Sequence, residues 1–207
     1  MKKIICVSLL LASLIGSAQA RPFLSPTERV YVEAGGYIPL DGLKDKIQPS
    51  VNFGFWYRAV HFERESLEIG FNLTVPESVG NFQYIHRDSI FNNRIRGLGG
   101  TIGIRYSARM DFFESPTTGM EWYSTLGYGF LTYRSQFVGY TDPSAPFQKE
   151  RYSKVFSTMS IGLGVRWFYK NVGVQAGYQW TPYSWFYKDL PRDFGSGALL
   201  VGIVYKQ

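Results

Sequence analysis

Cysteine, histidine and long apolar runs are what this sequence has least of. Its one cysteine, Cys6, lies near the amino terminus, so no disulfide staples the rest of the chain. The two histidines, His61 and His86, have no partner cysteines at a zinc-type spacing. Beyond residue 20 no stretch approaches the roughly 20 apolar residues of a membrane-spanning helix. Lys and Arg outnumber Asp and Glu by 22 to 16 but form no run, and no RNA-binding aromatic signature accompanies them. Nucleic acid is therefore not an expected partner.

The one apolar run, Ile4 to Ile15, follows Lys2-Lys3 and precedes Ala18-Gln19-Ala20. These are the three parts of a secretory signal peptide, and the run is too short to span. The expected organisation is a signal peptide over 1–20 and one domain over 21–207. Loss of Lys2 and Lys3 lowers the formal charge of +6 by two. Cys6 lies inside the apolar run rather than at the cleavage point, so no lipidated terminus is expected.

What the chain does have is aromatic residues, at 17%, and alternation with a period of two. Val155 to Tyr183 carries the pattern most fully. Val155, Met159, Ile161, Leu163, Val165 and Trp167 share one parity; Phe156, Thr158, Ser160, Gly162, Gly164, Arg166 and Phe168 share the other. After Tyr169-Lys170-Asn171 the alternation resumes from Val172 to Trp180, which predicts a hairpin of two long strands. Further strands are expected over 29–40, 51–60, 67–75, about 101–109, 120–133 and 197–205. The last is apolar on both parities, and its position recommends Leu199, Val201, Ile203 and Tyr205 as outward.

Eight strands result, and the later links alternate between shorter turns and long polar connections, as in transmembrane barrels with short inner turns and longer outer loops. Strands of roughly 9–11 residues with one apolar face suit a bilayer. A soluble lipocalin-like barrel would bury that face instead, so alternation alone does not choose. Two sets of residues bear on the choice. With the apolar parity outward, Tyr57, Tyr106, Trp122, Trp167 and Tyr205 fall at the strand ends beside the inner turns, as a membrane-interface girdle. Glu33, Arg58, Glu68, Arg105, Arg109, Glu121 and Arg166 all lie on the opposite parity, as a lumenal charge network.

On these strands the chain from Arg29 to Gln207 resembles the small eight-stranded outer-membrane barrels of Gram-negative bacteria, of the OmpA, OmpX and OmpW type. The resemblance implies an all-β, antiparallel, up-and-down transmembrane barrel in the cell outer membrane, in contact with outer-membrane lipid. It also implies a terminal aromatic read by the assembly machinery, for which Tyr205 is the nearest match.

Chemistry is thinly represented. His86, Asp88 and Ser89 share one loop, whereas catalytic triads draw on separate elements, so no catalytic residue is assigned. The loop carboxylates repeat no calcium-binding spacing, and neither metal nor cofactor is expected. Trp56, Tyr123, Phe156 and Phe168 would obstruct a pore. The loops 76–96, 134–153 and 184–196 carry Phe82, Tyr84, Phe91, Phe137, Tyr140, Phe147, Trp185, Phe186 and Tyr187 beside basic residues. Such a composition suits either a contact surface or mutual packing above the membrane. The expected role is a non-enzymatic barrel that engages another envelope protein or a surface ligand through its outer loops. A lipid-modifying barrel enzyme and a secreted lipocalin-like binder are the alternatives.

Overall fold

The computed structural model describes residues 29–62, 64–86, 89–110, 118–140, 151–187, 190 and 194–207. The expected signal peptide, Arg87, Asp88 and Phe147 lie outside them.

Nine strands and two helical turns follow in order: β1 (Val30–Pro39), α1 (Asp41–Lys44), β2 (Ser50–His61), β3 (Glu65–Thr74), β4 (Phe82–His86), β5 (Ser89–Met110), β6 (Thr118–Tyr140), β7 (Arg151–Tyr169), β8 (Val172–Trp180), α2 (Tyr183–Phe186) and β9 (Gly197–Lys206). All pairings are antiparallel. β1 pairs with β2 and β9, the chain runs strand by strand from β5 to β9, and β3 pairs with β5 to close the cylinder. The barrel is thus eight strands around and closed on itself, while β4 and the upper part of β7 edge the extension above it.

β4 is the departure from the expected layout. The connection read as a polar loop of about twenty residues instead folds back as β4 against the upper part of β5, from Phe82↔Asn93 to His86↔Ser89. β5, β6 and β7 likewise run well past the lengths a bilayer requires. Alternation persists in these extensions, but polar residues stand on the outward face where the barrel carries apolar ones. A reading keyed to apolar alternation therefore stops short.

Packing follows parity. Along β3, Glu68, Asn72 and Thr74 are buried, while Ile69 is 53% exposed. Leu163 on β7 and Ile203 on β9 are 60% and 58% exposed. Among the described residues no second layer covers Leu67, Ile69, Phe71 or Leu73, so the apolar parity is the outer wall. The core lies inside. Its larger apolar cluster fills the outer mouth with Tyr37, Leu131, Tyr133, Phe156 and Leu200 from the wall. Leu43 and Ile47 from the first link, with Leu190 and Phe194 from the last, complete it. The first link is short, but it is a plug rather than a simple turn.

Candidate functional site: the filled lumen and the outer mouth

The strand register itself brings charges together. Glu68 on β3 lies directly opposite Arg58 on β2 and Arg105 on β5, and Glu121 on β6 lies opposite Arg109 on β5 and Arg166 on β7. Opposite charges facing each other across a ladder are favourable pairs. Glu33 on β1 has the small or apolar ladder neighbours Gly54 and Val204, and it reaches across the lumen instead. Arg105 donates to it at 2.5 Å and Arg166 at 3.0 Å.

Arg166 is the hub. Its guanidinium also donates to both oxygens of Glu68, at 3.3 and 3.2 Å, and lies 3.9 Å from Glu121. Ser107 donates to Glu68 at 2.6 Å, and Tyr31 donates to Glu121 at 3.4 Å. Burying such groups is tolerated only where close geometry and additional hydrogen bonds offset the lost hydration. Aromatic faces supply the rest. Arg105 stacks over Trp56 at 3.8 Å and Tyr123 at 4.3 Å, and Arg166 lies 4.6 Å from the Tyr31 ring and 4.7 Å from that of Tyr123. Such contacts are strongest where the cation is desolvated.

Six of the seven expected network residues are buried; Arg109 differs. Its side chain is 38% exposed and stands 4.0 Å from Glu121, because β5 is one residue from its inner end there. Tyr31 and Tyr123 were absent from the expected set as partners of the arginines. Their inward parity was visible in the sequence, but which guanidinium each ring would meet depends on the curvature of the wall. Tyr123 fits because glycines face it. A Cβ on Gly164 or Gly177 would stand 2.5 or 2.4 Å from the phenol. Above it, Gln179, Thr101 and Ser160 form a hydrogen-bonded layer, with Thr101 donating to Ser160 at 2.9 Å.

On the outside, Tyr57, Trp167 and Tyr205 point away from the barrel near its inner end, each more than 40% exposed. Tyr106 and Trp122 are half-buried against each other, ring centroids 5.3 Å apart. Tyr169, outside the expected set, is also exposed at this level.

At the outer mouth most of the described loop aromatics turn inward. Phe82 packs against Phe156 and Phe194, Phe91 against Phe137, and Tyr187 against Phe156. Trp185 and Phe186 are the exceptions, at 72% and 57% exposed, with Trp185 edge-on to Trp180. The side chains of Tyr84, His86 and Tyr140 lie outside the described residues, as does Asp88, so no Ser, His and Asp constellation is built. His86 and Ser89 face each other as ladder partners at the tip of the β4–β5 hairpin. Among the described residues no group of His, Cys, Asp or Glu is arranged to hold a metal, and no helix is long and apolar enough to cross a membrane.

No family model matches the chain, and no curated protein matches it. Among solved structures it is similar to Ail, the attachment invasion locus protein of Yersinia pestis, with 15% identity over 87% of this chain and 97% of that one and a TM-score of 0.44. It is also similar to a de novo designed transmembrane β-barrel, with 16% identity over 89% and 98% and a TM-score of 0.36. Neisserial surface protein A is a third, with 15% identity over 86% and 97% and a TM-score of 0.38.

Proposed function

We propose that this chain is a non-enzymatic integral barrel of the bacterial outer membrane that acts through its outer end. The observation that carries the reading is the inversion of its surfaces. Val51, Phe53, Ile69, Ile102, Leu126, Leu163, Val174 and Ile203, drawn from strands all around the cylinder, are exposed, while Glu33, Arg58, Glu68, Arg105, Glu121 and Arg166 are sealed inside. A belt of that extent is stable against hydrocarbon and would aggregate in water. Among the described residues the lumen is filled, by the Arg/Glu network below and the aromatic plug above, which speaks against transport through it. That leaves the outer end, with the β4–β7 extension and the exposed Trp185 and Phe186, as the part able to meet an envelope protein or a surface ligand. Residues 1–20 act as the export signal and the mature chain begins at Arg21.

Fractionation of expressing cells tests this. The protein is expected in the outer membrane, with Arg21 as its amino terminus, and to run at different electrophoretic mobilities before and after heating. Crosslinking on intact cells is expected to capture a neighbour through the outer end. Recovery in the aqueous fraction would refute the proposal.

A further inference from the structure

The β4–β7 extension holds a cleft of about 540 Å³ whose lining includes Arg94, Arg96, Arg134 and the polar side chains Asn92, Gln136 and Ser153. Arg94 and Arg134 are direct cross-strand partners on β5 and β6. Like charges directly opposite in an antiparallel pair destabilise it, their Cβ atoms being about 4.5–5.5 Å apart. Glu77 offsets part of this, lying 3.1 Å from Arg94, but both side chains are half-exposed and such a pair is weak. Among the described residues no carboxylate lies within ion-pair distance of Arg96 or Arg134. Among the described residues the cleft's three guanidiniums, with the carboxylate of the adjoining Glu77, which also bridges Arg96 through its backbone, leave a net of two positive charges among amide and hydroxyl donors.

We propose that this cleft is a binding site for phosphate oxyanions, with Arg94 and Arg134 as its two principal ligands. Planar guanidiniums match phosphate oxygens in bidentate fashion, and an anion between the two arginines removes the repulsion that the register imposes. Position adds to this. On β5, Arg96 and Arg94 follow the exposed Leu98 outward along the strand. On β6, Arg134 stands four residues above Phe130, about 13 Å along the strand and about 10 Å in height for a typical barrel tilt. That is headgroup depth for a barrel whose apolar belt is in hydrocarbon. The same phosphate chemistry is presented there by a lipid headgroup or by a free phosphorylated ligand. The headgroup source rests on the membrane reading above, whereas the phosphate site itself does not.

The test uses the full chain refolded in uncharged, phosphate-free maltoside micelles, with inorganic pyrophosphate as the probe. Pyrophosphate is expected to bind and to raise the unfolding temperature of the wild type. In the Arg94→Gln, Arg134→Gln double variant, affinity is expected to fall about ten-fold or more and the thermal shift to vanish. Arg29→Gln, at the inner end, is expected to behave as wild type. Without pyrophosphate the double variant is expected to be at least as stable as wild type, since its substitutions relieve a repulsion. Should both outer substitutions together prevent folding, Arg134→Gln alone serves, with the same expected direction. A second arm compares phosphatidylcholine nanodiscs with and without phosphatidic acid. Enrichment of phosphatidic acid by wild type and not by the variant identifies a headgroup site, and pyrophosphate binding without enrichment identifies a free ligand. Absence of binding to either probe by wild type, or equal binding by the double variant, overturns the proposal. Heat-modifiable mobility of the wild type scores the barrel reading separately.

Discussion

Arg166 makes hydrogen bonds to two carboxylates, lies near a third and rests against two tyrosine rings. Removing one member of a buried ion network leaves its partners desolvated and uncompensated, which costs about 3–5 kcal/mol. Arg166→Met is therefore expected to lower the unfolding free energy of the refolded barrel by about that amount, measured by denaturant titration in micelles. Lysine is not expected to restore it, because a single ammonium cannot bridge Glu33 and Glu68 as a planar fork does. A cost below about 1 kcal/mol would mean that water reaches the network. At this scale parity placed every member on one common face. The contacts of Glu33 were beyond it, since a ladder lists only a residue's two flanking neighbours, and Glu33 bonds across the lumen.

Among the elements, β5 is the one whose behaviour changes along its length. Its lower part pairs with β3 and its upper part with β4, and the change coincides with a register shift against β6 between Ile95↔Tyr133 and Gly99↔Leu131. Three residues on β5 there oppose one on β6, a bulge that re-aims the strand above the belt. Gly97 sits in it at φ 123°, and Thr132 donates its hydroxyl to the carbonyls of Arg96 and Leu98 at 3.2 and 2.7 Å. A side chain at that φ is strained by about 1–3 kcal/mol. Gly97→Ala is thus expected to loosen the upper extension selectively, seen as faster amide exchange over 89–98 with 101–109 unchanged. Uniform loss of protection along β5 would mean that the extension and barrel unfold as one unit. In the sequence the strand is expected only from about 101, because the residues before it read as a polar connection; Gly97, Gly99 and Gly100 stand at that junction. Glycines break a pattern and permit a bulge by the same lack of a side chain.

For the molecule as a whole, the decisive property is which face meets hydrocarbon. Leu163 points outward from β7 and is 60% exposed. An arginine at the bilayer midplane on the lipid face of such a barrel costs about 2–4 kcal/mol. Leu163→Arg is expected to reduce stability in phosphatidylcholine vesicles by about that much, measured by reversible denaturant unfolding. It is expected to have little effect in micelles, where the surface rearranges around the charge. A substitution equally harmless in vesicles would place Leu163 outside the hydrocarbon.

The order of residues was enough to establish eight alternating strands, with the charges gathered on one parity and the apolar side chains on the other. Each follows from the period of two, a local property of extended backbone. It also carried the short turn at Lys170-Asn171, whereas the final strand is apolar on both parities and its outward face follows from its register with β1 and β8. Tertiary structure decided the rest. Tyr31 and Tyr123 became plates for guanidiniums, the aromatic links folded inward as a plug, and Arg94 came to lie opposite Arg134. All of these depend on closing the sheet, which brings together residues far apart in sequence through register and curvature that no local pattern encodes.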